Sequence, residues 1–140
     1  MPYKVTHLPN LDVVELNLYG LISGPDLREA TTECIEIQKK TGITTFLVDA
    51  NGWEVVSSFS ELFEIVSDQY DREGLDKKSR IAVILPTTLS AIAAADFYEA
   101  VCLKGGWNGL VFPNRDGALD WLMEASDSNE STAGKPLRRA

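Results

Sequence analysis

The chain has 140 residues, enough for one domain with its own core and no need of disulfide or metal staples. Hydrophobic residues make up 44% and charged residues 24%, the balance of an ordinary soluble globular protein. A net charge of -8 argues against nucleic-acid phosphates and anionic membrane surfaces, both of which call for a basic face.

The opening "MPYKVTHLPNLDVVELNLYG" shows no apolar segment behind a basic flank, so no signal peptide is expected. No apolar run approaches the ~18 residues that span a bilayer, so membrane insertion is not expected. Cys34 and Cys102 fall in helical patterns without metal-ligand spacing. Isolated cysteines of that kind read as small buried hydrophobes in a reducing compartment, and the expected location is cytoplasmic.

In chain order, "YKVTHL" (3–8) alternates as a strand, Pro9-Asn10 turns, and "DVVELNLYG" (12–20) continues as a second, antiparallel strand, leaving the first at an edge. A helix follows, capped by Ser23 or Gly24, with Pro25 at its first position, Asp26 and Glu29 where the dipole favours anions, and Gly42 at its end. "ITTFLVDA" (43–50) is a β-branched apolar run, as expected of a strand covered on both faces. Ser58 and Glu61 form a capping-box pattern that opens a helix to about Glu73, with Phe59, Leu62, Phe63, Val66 and Tyr70 on one face. "SRIAVILP" (79–86) is a buried strand. Thr87 or Thr88 caps the next helix, whose inner face is read as Leu89, Ile92, Ala93, Phe97, Ala100 and Val101, with Asp96 and Glu99 toward solvent. "NGLVFP" (108–113) is the last strand, and Asn114 caps the helix "RDGALDWLMEA". Residues 126–140 are polar, small and unpatterned, so the expected division is a domain over 1–125 and a disordered tail over 126–140.

The order β-β-α-β-α-β-α-β-α predicts an α/β fold with a mostly parallel five-stranded sheet, right-handed crossovers and one antiparallel strand at the N-terminal edge. Such a sheet gathers strand C-termini and helix N-termini along one rim, where ligands bind. That rim is expected to carry Asp49, Asn51, Trp53, Ser57, Ser58, Phe59, Thr87, Thr88 and Asn114. Helix capping accounts for the hydroxyl and amide groups among them without a ligand. Trp53 either roofs the core or lines a binding face, and Asp49 reads as a backbone-bonded turn residue. Catalytic apparatus is thin. The lone histidine, His7, lies on the edge strand, and there is no G-x-S-x-G elbow, P-loop, G-x-G-x-x-G or H-E-x-x-H pattern. No catalytic residue, metal or cofactor is expected.

The order of elements resembles the SpoIIAA-like family, the STAS-type fold of anti-sigma-factor antagonists, and within it the single-domain bacterial branch. The residues that carry the resemblance are "LYGLISGPDL", "FLVDANGW", "RIAVIL", "AAADFYEAV" and "GWNGLVFPNRDGALDWL", spanning about 3–124. It implies a four-turn βα superhelix, an architecture shared with CRAL-TRIO lipid-transfer domains. It also implies a phosphorylatable serine between the third strand and the next helix, which here matches Ser57 in Val56-Ser57-Ser58-Phe59, with Val56 and Phe59 in place of the family's Asp and Gly. A phosphate there would meet the helix dipole and repel an acidic partner surface. The functional expectation is a non-enzymatic regulatory module that recognises a protein partner at the rim. The alternative is a carrier or sensor of a small apolar or lipid-like ligand, motivated by Trp53, Phe59 and Phe63; a hydrolase ranks third. The Ala-rich helix 89–104 offers a seam for a homodimer, although packing on the sheet explains its alanines equally well.

Overall fold

A computed structural model describes residues 3–8, 10–55 and 58–127. Strands β1 (Tyr3–Leu8), β2 (Val13–Ile22), β3 (Thr45–Val55), β4 (Arg80–Ile84) and β5 (Asn108–Phe112) form one sheet in that spatial order. β1 pairs antiparallel with β2 at the edge, and every later pair is parallel. The helices are α1 (Gly24–Thr41), α2 (Phe59–Glu64), a π-helical segment Ile65–Gln69, α3 (Tyr70–Glu73), α4 (Leu89–Gly105) and α5 (Arg115–Asp127). This is the α/β architecture that the sequence predicts, four βα units after an edge strand. The expected tail begins inside α5, and residues 128–140 lie outside the described residues.

Alternation splits the core in two. Leu16, Leu18, Phe46, Val48, Ala50, Ile81, Val83 and Val111 face α1, α2, the π segment and α4. Val13, Leu47, Ala82, Ile84, Leu110 and Phe112 face α5, which contributes Ala118, Trp121 and Leu122. α4 approaches β5 closely because Gly109 has no side chain: a Cβ there would lie 2.6 Å from Cys102 Sγ.

Three sequence expectations change. First, β3 does not end at Ala50 but runs to Val55, because Gly52–Val55 pair with Tyr19–Ile22. Ala50 and Asn51 together oppose Leu18, a two-against-one bulge. The extra residue turns Trp53 to the same side as Phe46, Val48 and Ala50, and it is buried there at 4% exposure. Second, the π segment shifts the phase of the second helical stretch. Leu62, Ile65, Val66, Gln69 and Tyr70 turn inward, while Phe59 and Phe63 face outward. Third, α4 buries Ala91, Ala94, Ala95, Glu99 and Cys102, whereas Leu89, Ala93 and Ala100 are exposed. Glu99, read as solvent-facing, is 8% exposed, and its Oε2 accepts the Val111 N–H at 2.8 Å. A buried donor on β5 thereby finds a partner that β4 does not supply.

Candidate rim of the sheet

The strand C-termini and helix N-termini do converge on one rim. Ser23 caps α1 in a full capping box with Asp26, and Ser58 caps α2 in another with Glu61. The two helix starts touch, since a Cβ on Gly24 would collide with the Glu61 carboxylate. Thr88 caps α4, accepting the Ala91 N–H at 3.3 Å, and Thr87 Oγ1 donates to the Asn51 carbonyl at 3.2 Å, tying the β4–α4 loop to β3. Asn114 Oδ1 accepts the Gly117 N–H at 2.9 Å at the start of α5. Asp49 Oδ1 accepts the Asn51 N–H at 3.1 Å. Most of the polar side chains expected at the rim are thus engaged in holding its loops together. Ser57, the residue matched to the phosphorylated position, lies outside the described residues.

The two banks of the rim differ. On the α2/α4 bank, Phe59 stacks on Phe97 with ring centroids 4.7 Å apart, yet stays 44% exposed. Large hydrophobic side chains left exposed on the described chain are Leu11, Tyr19, Leu21, Phe59, Phe63, Leu89 and Leu103. Tyr19 and Leu21 lie on the part of β2 that runs past the end of β4 and share the α5 side of the sheet with Val13 and Glu15, whereas Phe59 and Leu89 open α2 and α4 on the other side. Phe63 is one helical turn below Phe59. Only Leu11, in the β1–β2 turn, and Leu103, at the end of α4, lie at the opposite edge.

On the α5 bank, Arg115 grips Glu15 of β2 with two hydrogen bonds, 2.6 and 3.1 Å, and stands 3.8 Å from Asp49 Oδ2. Asn17 Nδ2 donates to Glu15 at 3.2 Å. The Glu15 hydrogen bond is the main cause of an Arg115 pKa raised above the ordinary guanidinium value, with Asp49 adding to it. An arginine in the first turn of a helix opposes the macrodipole, and the two carboxylates compensate. That mismatch is a signal in the sequence at Arg115. Its partner Glu15, a charge within an apolar strand, is the other. Arg115 belongs to the stretch "FPNRDG" that the topology sends to the rim, but neither its pairing nor a place there for Glu15 or Phe97 is expected from the sequence.

Burial pushes the Cys34 and Cys102 thiols up to about 12, so both stay protonated and poor nucleophiles. His7 is exposed on β1 opposite Val14. Among the described residues, no group of three or more His, Cys, Asp or Glu could hold a metal ion, and no helix is long and apolar enough to cross a membrane.

No family model matches the chain, and no curated protein does. Solved structures do. A DUF3478-family protein with a SpoIIAA-like fold from Shewanella loihica superposes with a TM-score of 0.55 at 16% identity, covering 86% of this chain and 91% of that one. The anti-sigma factor antagonist SpoIIAA in its unphosphorylated form gives 0.51 at 15% identity over 89% of this chain and 94% of that one. The phosphorylated form of SpoIIAA, the Bacillus cell fate determinant, gives 0.52 at 14% identity over 84% and 96%. The chain therefore has a SpoIIAA-like, STAS-type fold.

Proposed function

We propose that the chain is a non-enzymatic regulatory module that recognises a protein partner with the α2/α4 bank of its rim. The observation that carries this reading is the pair of exposed side chains Phe59 and Leu89 at the starts of α2 and α4, with the Phe59–Phe97 stack beside them and exposed Phe63 one turn below. Exposed aromatic anchors beside a polar rim are the usual composition of a protein-binding patch. The fold adds a precedent, because a protein with the same architecture is an anti-sigma factor antagonist known in unphosphorylated and phosphorylated forms. By that analogy a phosphate on Ser57, next to the Ser58 cap, would set an anion beside the patch and weaken an acidic partner's hold.

The test places photo-crosslinking residues at Phe59 and Leu89, and as controls at Leu11 and Leu103 on the far edge. Exposed to lysate of the source cells, the rim positions are expected to capture one common protein that the far-edge positions miss. Equal capture from both edges, or none from the rim, removes the reading. Ser57→Glu is expected to lower the rim yield and Ser57→Ala to preserve it. Equal yields would remove the phosphate switch and leave the partner.

A further inference from the structure

At the edge of the sheet opposite the rim, an open groove of about 500 Å³ lies between the β1–β2 turn, the link from α1 to β3, and α5. Its apolar walls are Leu11, Ile43, Leu122 and Met123, and Leu11 is left 40% exposed. Thr45 Oγ1 donates to the Asp12 carbonyl at 2.8 Å, which holds the turn against β3. Asp12 adds a carboxylate to the groove, and no lysine or arginine stands among the described residues that line it. Leu122 and Met123 belong to α5, which ends at Asp127 about one turn further on. The chain therefore leaves its last helix beside the groove.

Charge, shape and reach select the occupant. Beyond α5 the sequence carries Lys135, Arg138 and Arg139 against a single acid, Glu130, so it is the basic part of a chain whose net charge is -8. Within it, "KPLRR" (135–139) sets one large apolar side chain, Leu137, among cations. An apolar trough with a carboxylate at its side is complementary to that run, and α5 has no basic residue in its last turn, where a helix favours cations. Pro136 fixes a backbone angle in advance and lowers the cost of ordering the run. From Asp127 to Leu137 an extended chain covers up to ~35 Å, ample for a groove that starts on α5 itself. Tethering raises the effective concentration to about the millimolar range, so a weak contact suffices. A second copy, with the same net charge of -8, would instead approach against repulsion.

We infer that this groove is the docking site of the chain's own basic run, residues 135–139, with Leu137 between Leu11, Leu122 and Met123 and a neighbouring cation at Asp12. The groove lies at the edge away from Phe59 and Leu89, so the inference is independent of the partner reading.

The test uses the purified full chain with a photo-crosslinking residue at Leu11 and, in a second variant, at Leu103, which is 49% exposed at the end of α4 on the same edge. Mass spectrometry is expected to find position 11 joined within one molecule to residues 135–139, and position 103 joined to them several-fold less often. Leu137→Asp is expected to lower the yield from position 11 by about tenfold. A second readout leaves the groove unaltered. Of the two methionines, Met123 lines the groove, and its carbon-13 methyl signal is expected to move on Leu137→Asp while that of Met1 stays. Equal yields from positions 11 and 103, an unchanged yield in Leu137→Asp, or links between two molecules in place of one would each overturn the docking. A Met123 signal indifferent to Leu137→Asp would overturn it as well. No lysate or partner enters these readouts, so failure here leaves the rim proposal standing.

Discussion

The two banks of the rim solve one problem in different ways. Each must anchor the start of a helix against the ends of parallel strands. The α5 bank does so with an ion pair, Arg115 to Glu15 with Asp49 behind it, and leaves little unsatisfied. The α2/α4 bank does so with aromatic contact, and leaves half of that aromatic surface in water. A satisfied polar anchor contributes to stability; an exposed apolar one is free to bind. Ionic anchoring and exposed apolar surface are thus kept apart along one edge of the sheet.

The sharpest way to break this division is Arg115→Ala. It leaves Glu15, whose side chain is 10% exposed, without its charged partner. Because Arg115 itself is 43% exposed, the expected loss is about 2 kcal/mol, below the 3–5 of a fully buried pair, measured by urea denaturation. Replacing both partners with leucine is expected to recover most of it.

Next in size is an alkaline effect beneath the apolar bank. Burial raises the pKa of Tyr70 and Tyr98 above the ordinary 10.0, and that of Cys102 above 9.0. The folded state therefore keeps these protons after the unfolded chain has lost them. The stability they confer is intact below about pH 9 and falls as pH rises from there, by up to about 1.4 kcal/mol per pH unit for each group. Tyr70→Phe removes one such group and is expected to flatten the decline between pH 9 and 11 in chemical denaturation.

Ser58→Ala removes the α2 cap and is expected to cost about 1 kcal/mol. Phe59→Ala is expected to cost only about 1 kcal/mol of folding stability, because its ring is half solvated. Its effect on partner capture is expected to be tenfold or more. If Phe59→Ala destabilised the protein as much as Arg115→Ala, the division between the banks would fail.

The fold was legible because its signals are local. Strand alternation, the Ser23 and Ser58 caps, Pro25, and Gly42 each mark a boundary whatever the rest of the chain does. What could not be read is non-local or phase-dependent. Asn51 and Gly52 have turn chemistry, yet the cross-strand partners Tyr19 to Ile22 hold them in a strand. The outward turn of Phe59 and Phe63 depends on a π segment that no periodic template anticipates. In α4, alanines on every side leave the pattern without direction, so Leu89, read as inner, is 86% exposed. The rim was placed correctly by topology, but Arg115 and Glu15 meet across 100 positions of sequence.

The Glu99 carboxylate against Val111 has a consequence for assembly. β5 is the open margin of the sheet opposite β1, the kind of margin that recruits a stray strand from another molecule. With its Val111 amide already claimed from within, that margin is a poor template for growth into fibrils or strand-swapped oligomers. Edge-to-edge addition is left to β1, on the far side of the molecule, and Glu99→Ala would reopen the other door.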